Sequence, residues 1–594
     1  MDARSLLFTE PERILSAHTL DEVPRIFAEI EAALNQGMYI AGFLAYEAGF
    51  AFEKTLHPLI GTNTSAGPLA WFGVYRSPET FQHTGPIAEP ETHTSPATPQ
   101  TITLDADEST YTERVERIRA LIAAGHTYQA NLTFNAQWQE HRTPAEIFRH
   151  IMRTQPVEYG ALIHTGNAHI LSASPELFLQ REGYRIKTKP MKGTAPRGRW
   201  TQEDDMRAEW LRNDEKNRSE NLMIVDLLRN DLGRICEPGS VHVPSLFDVE
   251  RLPTVLQMTS TIEGTLRESC SYTDIFRALF PCGSIVGAPK IRTMQILHEL
   301  ESQPRGVYTG AIGYIAPDGH ATFSVAIRTI VLRGANARMG VGSGIVYDSK
   351  PADEFEECRS KTAFLQKQVE EFELIETLLW DSAYTFFDEH LERLASSARY
   401  FDFFFDRARV KEALHSTTRT FACGTRHRVR LTLNRFGVPA ITSSPLPHSE
   451  QQPISVMLAA DHTNSKNTLL FHKTTARAQY DTAFHRAQNL RCQDALFINE
   501  HHQVTEGAIH NIVFVKDGRW LTPSLSCGLL PGVYRNHLLR IKPELTEKEI
   551  TLEELLSADE IYLCNSVRGL RKAERLLQES AAGVRLIWES NRKI

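Results

Sequence analysis

From Tyr111 onward the apolar residues Val115, Ile118, Leu121 and Ile122 recur three to four positions apart and stop at Gly125, which predicts an amphipathic helix. YQANLTF (Tyr128 to Phe134) then reads as a strand. ILSASPELFL (Ile170 to Leu179) reads as another, interrupted by Pro175, which cannot donate to a ladder and leaves Glu176 at a strand edge. Residues 214–232 form a helix with an apolar middle that Glu220 precedes. FPCGSIVGAPK is a glycine-rich turn opening a helix with Ile291, Met294 and Leu297 on its apolar positions. YTGAIGYI (Tyr308 to Ile315) and FSVAIRTIVL (Phe323 to Leu332) are strands, the second carrying Arg328 in an apolar run. GVGSGIV (Gly340 to Val346) places three glycines where a backbone can approach a ligand closely. SKPADEFEECRSK opens a helix with Glu354, Glu357 and Lys361 on one face.

Past Lys361 the character changes. Asp388 to Phe401 is helical, and LFHKTTARAQYD, DALFINEHHQVTEGAIHNIVFV, LTPSLSCGLLPGVYR and DEIYLCNSVRGL follow in turn. A boundary near 365–372 divides the chain into 1–368 and 369–594. Residues 84–100, rich in Pro, Thr and Glu, read as an exposed excursion inside the first part.

Length and composition narrow the function. A chain of 594 residues exceeds one ordinary core. A net charge of -8 without a basic block argues against nucleic acid as a partner. No apolar run approaches the ~20 residues that span a membrane, and the N-terminus does not read as a signal peptide. The eight cysteines form no CxxC pair, which fits a reducing, cytoplasmic setting.

The chemistry concentrates on KTKPMKGT (Lys187 to Thr194). Three lysines lie within six positions, and crowding of like charge would favour a neutral amine that acts as a nucleophile. The bland alternative is a solvated basic strand end. Two acidic helices could each lend a carboxylate, Glu220 and Glu357, to one Mg²⁺; ordinary i,i+4 salt bridging along a wet face is the alternative. A buried Arg328 needs an anionic partner, and its planar fork suits a carboxylate.

The motifs SASPELF, PMKGT, ENLMIVDLLRNDLGR, FPCGSIVGAPK, YTGAIGY, SVAIRT, GVGSGIV and the closing E-x-x-E-x-x-x-K stand in the order found in the chorismate-utilising enzymes, which the chain resembles from about Leu6 to Lys361. The resemblance implies a mixed α/β (α+β) fold in which two antiparallel sheets pack as a sandwich with outer helices. It implies that Glu220 and Glu357, supported by Glu354, bind Mg²⁺, which would hold the ring carboxylate of chorismate. Tyr308, Arg328 and backbone N–H groups at Gly342, Ser343 and Gly344 would hold the enolpyruvyl carboxylate, with Lys361 near the metal-bound one. Glu176 would be the general acid. Lys192 stands where anthranilate synthases of this group carry alanine and aminodeoxychorismate synthases carry lysine, and it would add covalently to the ring. Gln129 replaces the basic lysine of the water-using isochorismate enzymes. Gln257 departs from a histidine common in relatives. No cysteine sits in a Gly-x-Cys-x-Gly elbow, so ammonia is expected from a separate glutamine amidotransferase.

Residues 372–594 resemble fold-type IV pyridoxal-phosphate enzymes through H-x-x-R-L, H-K-T, T-E-G-x-x-x-N and the late N-S. That resemblance implies pyridoxal 5'-phosphate bound covalently by Lys473, with Glu506 facing the pyridine nitrogen. Arg393, Ser566 and the backbone near Val567 would hold the phosphate. It also implies a homodimer through this part. The usual N-terminal strands of the fold are shortened here, so FELIETL (Phe372 to Leu378) is expected to replace them, with the first part or a second chain completing the small subdomain. Together the two resemblances imply amination of chorismate followed by elimination of pyruvate to 4-aminobenzoate, a folate precursor. An anthranilate-forming synthase fused to a class IV aminotransferase, and a non-catalytic scaffold that docks a glutaminase, are the rival readings.

Overall fold

The computed structural model describes residues 4–60, 67–82, 101–366, 371–447, 454–580 and 583–590. The expected excursion at 84–100 lies outside the described residues. The chain divides into two compact units, Met1–Arg197 with Arg207–Val369, and Gly198–Met206 with Glu370–Ile594. Nothing in the sequence separates Gly198–Met206 from its neighbours, yet it groups with the second unit.

Among the described residues the first unit holds a ten-stranded and a seven-stranded sheet, their ladders antiparallel throughout. Pro175 explains how the two are joined. The strand His169–Ser174 belongs to the smaller sheet and Leu177–Glu182 to the larger, so the chain changes sheet at Pro175–Glu176. FSVAIRTIVL behaves the same way, contrary to the single strand expected. Ala321–Val325 lies in the larger sheet, Thr329–Arg333 in the smaller, and Arg328 on the link between them has φ 51°. A non-glycine residue in this left-handed region is held there by its surroundings.

Helices follow their apolar periodicity. Glu22–Asn35 buries Val23, Ile26, Phe27, Ile30 and Ala33, each large side chain contributing about 1.5–3 kcal/mol by leaving water. Glu215–Gly233 buries Asn221, Ile224, Val225, Leu228 and Leu232 and packs on the strands Met191–Pro196 and Val255–Thr265. The helix Lys290–Leu300 buries Met294 and Leu297 but leaves Ile291 exposed, because Ile291 lies in its first turn off that stripe.

In the second unit a four-stranded antiparallel sheet runs Ala383–Tyr384, Leu374–Asp381, His427–Leu433, Pro439–Pro445. All four strands come from this unit's own residues, and FELIETL supplies the start of the one at Leu374–Asp381. A nine-stranded mixed sheet forms the remainder. The segment Gly198–Met206 fastens to this unit by ring contact and hydrogen bonds. Trp200 stacks on Phe471 at 4.8 Å, Tyr400 Oη donates to the Gly198 carbonyl, and Arg199 reaches the carbonyls of Ser465 and Ser526.

Candidate active sites

Lys192 lies on the strand Met191–Pro196, and the neighbouring helix fixes it from behind. Asn221 Nδ2 donates to the Lys192 carbonyl at 3.2 Å while Asn221 Oδ1 accepts from Ser260 at 2.6 Å. Gln257 also secures this strand, donating to the Gly193 carbonyl at 2.9 Å and accepting from Thr194 at 3.1 Å. Gln257 is therefore tied to the backbone beside Lys192. Burial pulls the Lys192 amine below the ordinary lysine range, and the Lys361 charge helps, while Glu220, Glu176 and Glu357 oppose. Crowding with Lys187 and Lys189, the reason expected from sequence, is not the cause. Lys189 is paired with Glu250 instead.

Glu176 is buried between the sheets rather than at a solvent-facing edge. Burial pushes its carboxyl up to about 7, against a 2.5 Å hydrogen bond from Ser284 and the Lys192 charge. A carboxyl held near neutrality can give up a proton at ordinary pH. Ser284, on the glycine-rich turn, has a role that its position in FPCGSIVGAPK did not reveal.

Tyr308 precedes its strand, which starts at Ala311, so the expected strand at Tyr308–Ile315 is shorter. Its ring packs where a side chain on Gly340 would be, 2.1 Å from an added Cβ. The strand Asn336–Ile345 pairs along its length with Gln129–Gln139, but with Thr329–Arg333 only as far as Met339. Gly342, Ser343 and Gly344 thus have a ladder partner on one side only. Ser343 shares a buried hydrogen bond with Tyr111 at 2.8 Å. Arg328 donates to Gln155 at 2.6 Å, and burial pushes its guanidinium down to about 10 with no carboxylate to offset it. Such a desolvated cation favours an anionic ligand.

Lys361 follows the helix Pro351–Ser360 and donates to the Gly342 carbonyl at 2.8 Å and to Glu357 at 2.7 Å. The i,i+4 ion pair weighed from the sequence is therefore present. Burial raises the Glu220 carboxyl; Glu354 and Glu357 add to it, and Lys192 and Lys216 oppose. Among the described residues no three His, Cys, Asp or Glu side chains are grouped closely enough to ligate an ion by themselves. The mutual repulsion of Glu220, Glu354 and Glu357 is what a divalent cation would relieve, with oxygens from substrate or water completing its shell.

In the second unit Lys473, Glu506, Arg393, Ser566 and Val567 all line one cavity of about 520 Å³. Burial pulls the Lys473 amine down to about 7, assisted by the charges of Arg477 and Arg393. Burial pushes Glu506 up to about 8, while hydrogen bonds and the Lys473 charge oppose. Tyr480 and Asn511 donate to its two oxygens, both at 3.1 Å. Tyr480 was not singled out from sequence. It lies seven residues past Lys473 on the helix Ala478–Asn489, and tyrosine there reads equally as core.

Arg393 is bound to Glu376 by two hydrogen bonds, 2.9 and 2.7 Å, and His390 Nδ1 meets the same carboxylate at 2.6 Å. Burial disfavours the Glu376 anion, but Arg393 and His390 overcome it and hold the carboxyl down at about 2. Among the described residues His390 Nε2, buried at the cavity wall, has no partner. An orphaned polar atom beside a cluster of cations fits an anionic group such as a cofactor phosphate. The Val567 N–H, expected to serve a phosphate, donates here to Asn565 Oδ1 at 3.1 Å.

Comparison with known proteins finds a match for each part of the chain. Residues 3–367 match the chorismate binding enzyme family. The chain belongs to that family. Residues 373–576 match amino-transferase class IV. An aminodeoxychorismate synthase of Streptomyces griseus is 46% identical over 263 residues, 44% of this chain and 36% of that protein. Anthranilate synthase component 1 of Streptomyces coelicolor is 42% identical over 261 residues, 44% of this chain and 51% of that one. The chain thus spans between about a third and a half of these curated relatives. The crystal structure of anthranilate synthase component I from Streptococcus pneumoniae superimposes with a TM-score of 0.54 at 26% identity, covering 61% of this chain and 92% of that chain. Among the described residues no helix is long and apolar enough to cross a membrane.

Proposed function

We propose that this chain makes 4-aminobenzoate in two stages, aminating chorismate in its first unit and eliminating pyruvate in its second, in the cytoplasm. The observation that carries the first stage is a depressed Lys192 amine beside a Glu176 carboxyl raised to about 7. The amine adds at ring carbon 2 as the bond from carbon 4 to its hydroxyl breaks. Glu176 gives that hydroxyl its proton, and it leaves as water. Ammonia then adds at carbon 4, both double bonds of the ring diene shift back, and Lys192 departs from carbon 2 as the amine. Arg328 and Tyr308, with the open edge at Gly342 to Gly344, orient the enolpyruvyl carboxylate. Glu220 and Glu357, with Glu354 behind them, would hold Mg²⁺, which supplies charge stabilisation at the ring carboxylate. Lys361 stands beside that carboxylate. A separate glutamine amidotransferase supplies the ammonia.

In the second stage Lys473 would hold pyridoxal 5'-phosphate, which supplies an electron sink when bound. Glu506, positioned by Tyr480 and Asn511, would face its pyridine nitrogen, and Arg393 with Ser566 would hold its phosphate. Lys473 takes the ring proton next to the amine. Loss of pyruvate makes the ring aromatic, which drives the step. An anthranilate-forming reaction would leave Lys192 without a role.

The test is to incubate the purified chain with chorismate, Mg²⁺, pyridoxal phosphate and an ammonium salt and to identify products by mass. 4-Aminobenzoate with pyruvate is expected. Aminodeoxychorismate alone would overturn the second stage, and anthranilate would overturn the first.

A further inference from the structure

The second unit's cavity holds cations that the two-stage reaction has not used. Arg428 and Arg430 lie two apart on the strand His427–Leu433 and so share one face. Val429 and Leu431 point the other way into a hydrophobic core. Both arginines are exposed at the cavity wall, and Arg568, beyond Asn565, lines the same cavity.

Among the described residues no acid is paired with them, and the acids nearby are bonded elsewhere: Asp494 to His510 and Asp481 to Arg477. Across the sheet Arg428 is opposite Leu379 and Ser444, and Arg430 is opposite Thr377 and Thr442. The other charged groups of the wall are already committed. Arg393 is paired with Glu376 and Arg477 with Asp481, and Glu506 accepts from Tyr480 and Asn511. Among the described residues none of the three arginines has a carboxylate partner. Burial lowers the Arg568 guanidinium, the charges of Arg571 and Arg428 add to this, and the Asp494 carboxylate opposes it. Like charges turned into one cavity wall with no carboxylate bonded to them fit a ligand that brings its own negative charges.

The geometry points to Arg428 and Arg430, assisted by Arg568, as the residues that select a substrate with two carboxylates at the Lys473 cavity. This rests on the proposal that the second unit acts on an amine of that class. The arginines play no part in the bond-breaking; they decide which amines enter. Class IV activity toward ordinary amino acids, which bring a single carboxylate to the site, would be disfavoured, since one carboxylate leaves part of the positive set unmatched.

The experiment uses the full chain loaded with pyridoxal phosphate. It is titrated with 3-(carboxymethoxy)benzoate, which has two carboxylates and no amine, and separately with benzoate. The readout is the cofactor's visible absorbance, which reports on this cavity even where the first unit binds the same probe. The dianion is expected to bind about tenfold or more tightly than benzoate, the scale of one charged hydrogen bond. The double variant Arg428→Gln, Arg430→Gln should lose that preference while changing benzoate binding less than about twofold. Arg428→Lys with Arg430→Lys should restore part of it. Absence of a dianion preference in the unaltered chain, or its survival in the double variant, would overturn the inference. So would loss of cofactor affinity in the double variant with the preference intact, since the arginines would then serve the phosphate. Pyruvate release from 4-amino-4-deoxychorismate is measured alongside. Its absence with the preference intact and variant-sensitive would overturn the lyase reading and leave the carboxylate selectivity standing.

Discussion

A β-carbon added to Gly344 would lie 2.9 Å from Lys192 Nζ and 2.7 Å from Gln129 Nε2. Both atoms are ends of flexible side chains, so they can move aside at little cost in stability. Gly344→Ala should therefore displace the amine and lower aminodeoxychorismate formation at least about tenfold. Conversion of supplied aminodeoxychorismate to 4-aminobenzoate should be unchanged. Equal loss in both assays would show a general folding defect instead.

Ser284 sets the pH limit of the first stage. Glu176 must be protonated to act as an acid, and its carboxyl stands at about 7, so formation of aminodeoxychorismate should fall as pH rises past that point. The Ser284 hydrogen bond lowers this value. Ser284→Ala should move the falling limb upward by about one pH unit, as expected for a lost hydrogen bond to a charged group. A pH–rate profile at saturating chorismate reads this directly, and a downward movement would refute the assignment.

Glu376 holds Arg393 and His390 at once. Glu376→Ala leaves Arg393 buried without its carboxylate and removes the partner of His390, which should cost about 3–5 kcal/mol. The second unit should unfold at lower temperature and hold less cofactor, measured by calorimetry and by absorbance. Chorismate amination should persist below that transition.

Trp200 is the fourth test. Its stack on Phe471, two residues from Lys473, together with Arg199 lying over both rings, makes the segment Gly198–Met206 part of the second unit's packing. Trp200→Ala should destabilise that unit by less than the ~3–5 kcal/mol of a fully buried tryptophan, since Trp200 is partly buried. Weaker retention of pyridoxal phosphate on dialysis should accompany it.

Much of both sites was legible because the reactive groups sit where the chain pattern breaks. Pro175 marked Glu176, the charge of Arg328 interrupted an apolar run, and Lys473 and Glu506 lay in spaced motifs. What stayed hidden depends on contacts between distant segments. Ser284 touches a carboxyl 108 positions away, and Gln257 ties down a strand more than sixty residues earlier. Glu376 looked like one acid in a short apolar strand, and only the fold brings His390 and Arg393 to it. The cause of the lowered Lys192 amine was also misplaced, because sequence adjacency suggested Lys187 and Lys189 whereas folding supplied burial and Lys361.

The links Pro175–Glu176 and Ile327–Arg328 each carry the chain from one sheet to the other, and each carries a side chain to which the proposed reaction gives a role. Acid and cation are therefore mounted on the two stitches that hold the layers in alignment. A mutation that lets one layer slide over the other would shift proton delivery and carboxylate recognition in the same movement. Evolution of new chemistry on this frame is accordingly freer at residues such as Lys192 and Gln129, which stand on strands to either side of that seam and can be exchanged without disturbing it.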